Sequence, residues 1–147
     1  MIEVTVTVDV DRPADEVFAF WSDWSNNPTW QSGMTSCTWT SEPPLQLGST
    51  YDQQATMLGR PIVSSFEVVE YEPDRMVRIR TTQSTLPLDI TRRVEPLPDG
   101  GTRLHATIRG EPQGLQRLLN PVMQRLVDRN VRRDYARLRD LLNAGSA

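Results

Sequence analysis

Lysine is missing from this chain of 147 residues, and all 16 of its basic side chains are arginine. A side-chain Schiff base, a phosphate-loop lysine and a kinase-type lysine are thereby excluded. Cysteine occurs once, at Cys37, and histidine once, at His105. A lone thiol forms no intramolecular disulfide, and neither a cysteine-based zinc site nor a histidine-rich metal centre can be assembled. No metal and no cofactor are expected. No apolar run approaches the ~18 residues that a membrane-crossing helix needs. The opening MIEVTVTVDV alternates in polarity and carries Glu3 and Asp9, so it does not read as a signal peptide. A cytoplasmic location with no integral membrane segment is the expectation.

Charge is modest overall, at -3, but uneven. From Gly114 to Asn143 seven arginines stand against three aspartates, whereas the remainder carries nine arginines against sixteen acids. A basic helix on an acidic body would suit nucleic acid or anionic lipid. No aromatic residues are interleaved with these arginines, however, and the total is negative. They read as the solvated face of an amphipathic helix, and no nucleic-acid partner is expected.

What is present sorts into three stretches. Ile2, Val4, Val6, Val8 and Val10 alternate with Glu3, Thr5, Thr7 and Asp9, which predicts a half-buried strand. In DRPADEVFAFWSD, Pro13 suits a first helical position, Asp15 and Glu16 favour a helix N-terminus, and Val17, Phe18, Phe20 and Trp21 supply an apolar face. Asn26-Asn27-Pro28 ends that helix and opens a second short one. From Gly33 to Pro112, turn signals at Glu42-Pro43-Pro44, Leu58-Gly59-Arg60-Pro61, Glu72-Pro73-Asp74 and Pro98-Asp99-Gly100-Gly101 separate runs rich in Thr, Val, Ile and Tyr. Roughly six successive antiparallel strands are predicted there. Asn120-Pro121 then begins, or kinks, a long helix reaching Asn143, about 35 Å at 1.5 Å per residue.

The length suits one α+β domain over 1–147 that buries roughly 70% of its unfolded surface. A seven-stranded antiparallel sheet needs a cover for its apolar face, and only the C-terminal helix is long enough. A curved sheet wrapped around such a helix leaves a gap at its wide end, which is a natural ligand site.

Several motifs in this order resemble one superfamily. They are Arg12-Pro13-Ala14-Asp15-Glu16-Val17-Phe18 after the first strand, Asp23 with Pro28 and Trp30, Gly48, Glu70-Tyr71-Glu72-Pro73, the Gly100-Gly101-Thr102 turn, and Leu138-Arg139. Over nearly the whole chain they resemble the START-like, or Bet v 1-like (SRPBCC), helix-grip superfamily, in its polyketide cyclase/dehydrase and lipid transport branch. The resemblance implies a helix-grip fold and a cavity for a hydrophobic molecule. Its members include lipid and sterol carriers, receptors, co-chaperones and aromatase/cyclases, so it does not by itself choose an activity.

Strand parity nominates the wall of that cavity. Leu88, Ile90, Arg92 and Val94 share one face, as do Leu104, Ala106 and Ile108. Tyr51, Gln53, Ala55 and Met57 share another, as do Phe66, Val68 and Glu70, Val77 and Ile79, and Cys37 and Trp39. A single bulge would flip every residue beyond it. At 100° steps, Met123, Val127, Val131, Tyr135, Leu138, Leu141 and Leu142 form the apolar arc of the long helix, with Leu119 and Leu126 at its edge. Arg125, Arg129, Arg132 and Arg139 lie opposite, while Asn130 and Asp134 fall inside the arc. The expected ligand wall is therefore Trp39, Tyr51, Gln53, Met57, Phe66, Val68, Ile90, Arg92, Leu104, Ala106, Met123, Val127, Asn130 and Val131.

The polar residues on that wall each need a partner. Arg92 either pairs internally, with Glu70 or Asp134, or meets a carboxylate, phosphate or enolate oxygen of a ligand. Trp30 is expected to pack against the sheet edge, with contact at the pocket rim as the alternative, and Trp24 to lie half-exposed at the bend. His105, the one neutral-pH base, falls on outward parity, no G-x-S-x-G elbow accompanies it, and Cys37 reads as a small core residue. No catalytic residue is nominated. The expected function is binding, sequestration or transport of a small apolar ligand by a monomer or homodimer. The alternatives are a polyketide aromatase/cyclase or dehydratase, with Tyr51, Arg92 and Asn130 as enolate donors, and a regulatory or interaction module.

Overall fold

The computed structural model describes residues 1–57, 59–112 and 120–145, without the side chains of Met57 and Asn120. The elements run β1 (Ile2–Val10), α1 (Ala14–Trp21), a 3-10 helix (Trp24–Thr29), β2 (Met34–Trp39), β3 (Thr50–Met57), β4 (Arg60–Glu72), β5 (Met76–Ser84), β6 (Leu88–Pro96), β7 (Thr102–Gly110) and α2 (Asn120–Asn143). One seven-stranded antiparallel sheet has the order β1-β7-β6-β5-β4-β3-β2 and curls as a half-barrel about α2. Every strand after β2 therefore pairs with its sequence neighbour, and only β1 pairs out of order, with β7.

Local chemistry sets these boundaries. β1 alternates buried and exposed residues as its sequence does. Pro13 precedes α1 as its cap, with ψ at 148°, instead of occupying the first helical position. Its carbonyl oxygen accepts the first-turn bond from the Val17 N–H at 3.0 Å. The Asp23 carboxylate caps the 3-10 helix by accepting from the Ser25 N–H at 3.0 Å, and it also takes the Trp39 indole N–H at 3.2 Å. The turn between β4 and β5 places Asp74 in the left-handed region at φ 59°, where a short polar side chain is tolerated.

Both α2 ends are tied to the β1 edge. The Gln124 amide behaves as an extra strand residue: its Oε1 accepts from the Glu3 N–H at 3.1 Å and its Nε2 donates to the Glu3 carbonyl at 2.9 Å. Asn143 Oδ1 accepts from the Asp11 N–H at 2.8 Å. The backbone groups of Glu3 on this edge strand are thus occupied by the helix that lies beside it.

One inward assignment is overturned by a bulge. The β4–β5 register shifts between Val68 and Glu70. Phe66 and Val68 remain buried, but Glu70 turns to solvent, where it binds Arg78 at 2.8 Å, and Tyr71 packs on the core in its place. Beneath α2, α1 inserts Val17, Phe18 and Trp21, which complete a solid core with Val10, Val94, Leu104, Leu138 and Leu142.

Candidate functional site

A cavity of about 400 Å³ opens between the sheet and α2, on the side away from α1. One of its walls is β6. Leu88, Ile90 and Arg92 face it at two-residue steps, so Arg92 lies about 13 Å from Leu88 at roughly 3.3 Å per residue. Val127 and Tyr135 on α2 span nearly the same distance, about 12 Å for eight residues at 1.5 Å each. The Leu88 end is apolar, with Ile2, Ile62, Leu86, Ile108 and Val127. The Arg92 end is mixed, with Trp24, Asn27, Trp30, Asp134 and Tyr135.

Arg92 is the unusual group. It is only 1% exposed, and no carboxylate among the described residues pairs with it. Its Nη1 donates to the Trp21 carbonyl at 2.8 Å and to Asn27 Oδ1 at 3.1 Å, while its Nε has no partner. Three indoles surround it, with the guanidinium carbon 4.0 Å from the Trp24 ring centre, 5.3 Å from Trp30 and 5.6 Å from Trp21. Burial lowers its pKa from the ordinary arginine value, but that value starts so high that the guanidinium keeps its proton. Cation–π attraction and two neutral acceptors thus offset part of the cost of burying a charge that no acid neutralises.

Asp134 marks the same end from α2. It is 7% exposed and accepts from the Ser32 N–H at 3.0 Å and the Ser32 hydroxyl at 2.8 Å. Burial raises its carboxyl pKa, and the Ser32 donors and the Arg137 and Arg133 charges offset this only in part. Tyr135 is buried edge-on to Trp30, ring centres 4.9 Å apart, and to Trp21 at 5.9 Å. Burial raises the pKa of its phenol, against the pull of the neighbouring Arg92 charge. Burial pushes the Cys37 thiol up to about 12, so it stays protonated within the core. His105 faces outward and bonds Glu95 at 2.8 Å.

Of the residues expected on the wall, Gln53, Ile90, Arg92, Val127, Asn130 and Val131 line the cavity. Tyr51, Phe66, Val68, Leu104 and Ala106 are buried in the solid core, and Trp39 packs against that core, with its ring 4.6 Å from Tyr51. Met123 is buried with Ile2 and Leu86 at the apolar end. The side chain of Met57, like the whole of Leu119, lies outside the described residues. Neither internal partner expected for Arg92 is used, because Glu70 is turned outward by the bulge and Asp134 is held by Ser32. Trp24 is fully buried rather than half-exposed, since its ring forms the floor under Arg92.

Parity and helical steps did not reach the residues from the 3-10 helix and the loop after it, namely Trp24, Asn27, Trp30 and Ser32. Neither period applies to such short irregular segments. The available signal was Arg92 itself, a charge on an apolar face that demanded acceptors from elsewhere.

An antiparallel sheet of this order gripping a C-terminal helix is the START/Bet v 1 helix-grip fold. The chain belongs to the polyketide cyclase/dehydrase and lipid transport family, whose model matches residues 1–143. Among solved structures, a protein from Thermus thermophilus superposes with a TM-score of 0.83 at 18% identity, covering 99% of both chains. A START superfamily protein from Mycobacterium smegmatis superposes at 0.77 with 17% identity, over 94% of each chain. The Zhui aromatase/cyclase from Streptomyces sp. R1128 superposes at 0.70 with 17% identity, over 90% of this chain and 87% of that one. At these identities the likeness shows the fold alone. Among curated proteins, none matches the sequence significantly.

Proposed function

We propose that the protein holds a small apolar molecule in the cavity between sheet and α2, sequestering or carrying it. The observation that carries this reading is the cavity itself: about 400 Å³, with its Leu88 end walled by isoleucine, leucine and valine. That volume falls in the usual range for small-molecule sites. An interaction module would have no need of a void in its interior, where unfilled space costs stability. The protein purified from its own host should retain an apolar adduct in native mass spectrometry. Ile108→Trp should abolish retention without lowering the melting temperature, because the added ring occupies existing space. If no adduct is retained and neither 2-naphthamide nor its charged analogues bind, the reading is lost.

A second reading, an aromatase/cyclase working in the same space, is favoured by one observation. A buried carboxyl of raised pKa, Asp134, shares one end of the cavity with Arg92 and the Tyr135 phenol. Asp134 would exchange a proton with a poly-β-ketone chain, and Arg92 would stabilise the resulting enolate oxygen. Incubation with a reactive poly-β-ketone should then change the distribution of cyclised products, and Asp134→Asn should return it to the uncatalysed one. An unchanged distribution with the wild-type protein removes this reading.

A further inference from the structure

We infer that the occupant of the cavity is an amphiphile with one anionic oxygen group, of carboxylate type, seated against Arg92 with its apolar body toward Leu88. This rests on the cavity-binding reading and specifies its ligand. The first support is charge. Arg92 is buried at the end of the cavity, and its Nη1 hydrogen bonds go to uncharged acceptors, the Trp21 carbonyl and Asn27 Oδ1. The nearby acids are engaged elsewhere: Asp89 and Glu70 bind Arg78 on the outer face, and Asp134 is held by both donors of Ser32. Among the described residues the positive charge is therefore left without an opposite one.

The second support is donor capacity. A guanidinium carries five N–H groups in its plane, yet its partners here, the Trp21 carbonyl, Asn27 Oδ1 and the Tyr135 phenol, are all uncharged, and Nε is a buried donor with no acceptor. The Trp24 ring, 4.0 Å from the guanidinium carbon, covers a face of the group rather than its edge. In-plane donors are the ones a carboxylate engages, in a charge-assisted bond stronger than a neutral one.

The third support is the gradient along the cavity. Polar Asn27 stands with Arg92 on its wall and bonds it at 3.1 Å, whereas the far end, about 13 Å along β6, is formed mainly by Ile2, Ile62, Leu86 and Leu88, with the Ser64 hydroxyl there already paired to Ser84. A wholly apolar guest would leave the guanidinium unpaired, and a wholly polar one would leave the aliphatic end unfilled.

The test compares three probes of one shape by isothermal titration calorimetry at pH 7: 2-naphthoate, 2-naphthamide and 2-naphthylmethylammonium. The wild-type protein should bind naphthoate at least about tenfold more tightly than the amide, as expected for a charge-assisted bond over a neutral one, and the ammonium most weakly. Arg92→Gln should reduce the naphthoate-to-amide ratio to about one. Arg133→Gln, on the exposed face of α2, should leave the ratio intact. The Arg92 Nε–H resonance should shift with naphthoate and not with the amide, which decides the matter in the wild-type protein even if Arg92→Gln does not fold. Equal wild-type affinity for naphthoate and amide overturns the anion assignment while the cavity reading survives. A preference that persists in Arg92→Gln, or disappears in Arg133→Gln, also overturns it by placing the anion elsewhere. Failure of all three probes removes the cavity reading and this inference together.

Discussion

Near α1, Val94, Leu104 and Leu138 are almost inaccessible, whereas a few residues away along the same β6, β7 and α2, Ile90, Ile108 and Val127 stand against open space. The two regions share strands, parity and residue types. They differ in the third layer. Under one half of α2 lie Val17, Phe18 and Trp21 of α1, whereas the cavity under the other half is lined by none of the described residues of α1. An apolar inward face is therefore equally consistent with a packed core and with a ligand chamber, and the choice is made by what a distant part of the chain places over it.

Truncating one side chain in each region separates a packed interior from an open one. Leu138→Ala should cost about 2–5 kcal/mol, as for a leucine removed from a close-packed core. Val127→Ala, at a wall that already borders a void, should cost less than about 1 kcal/mol. Urea denaturation measures both, and equal costs would mean that the chamber is as tightly packed as the core.

Two aspartates sharpen the contrast through pH, with opposite signs. The Asp89 carboxylate binds Arg78 through both oxygens, at 2.9 and 2.7 Å, and the Arg78 bond holds its pKa below the ordinary 3.8. Its contribution is thus complete above 3.8 and is lost as pH falls through the lower folded value. Asp89→Asn should cost about 1 kcal/mol at neutral pH, a difference that shrinks in acid. Asp134, on the cavity wall, has its pKa raised by burial from the same 3.8. Its contribution is greatest below 3.8 and declines as pH rises through the folded value. Asp134→Asn should therefore leave neutral-pH stability unchanged or higher, since the amide oxygen can still accept from Ser32. Urea midpoints between about pH 2 and pH 8 test both signs, and a substantial neutral-pH loss in Asp134→Asn would show that the charge stabilises the fold.

The smallest expected effect is at the β1 edge. Gln124→Ala removes two hydrogen bonds to the Glu3 backbone. Because both groups are exposed and water can replace the side chain, the loss should be about 0.5–1 kcal/mol. Hydrogen exchange at the Glu3 amide should accelerate. An unchanged rate would mean that α2 does not protect this edge.

Much of the fold was legible in the residues. The alternation from Ile2 to Val10, the turn signals between Gly33 and Pro112, and the helical arc from Met123 to Leu142 each correspond to an observed element. The face of Arg92 was legible too, because parity carries through β6. Glu70 was not, since a bulge between Val68 and Glu70 changes which side a residue faces without changing composition or spacing. The floor of the candidate site was also hidden. Trp24, Asn27 and Trp30 belong to a short 3-10 segment and its end, where no periodicity indicates which residues point inward.

Local periodicity and composition set the order of elements, the inward faces of most strands and the absence of lysine and cysteine-pair chemistry. Only the tertiary structure decided that one half of the interior is filled by α1 while the other stays open, and that Arg92 ends among three indoles instead of beside an acid. Those outcomes depend on contacts between residues such as Trp21, Asn27 and Arg92 that are 65 or more positions apart. Such contacts arise when curved layers are brought together, and no local pattern encodes the space that remains between them.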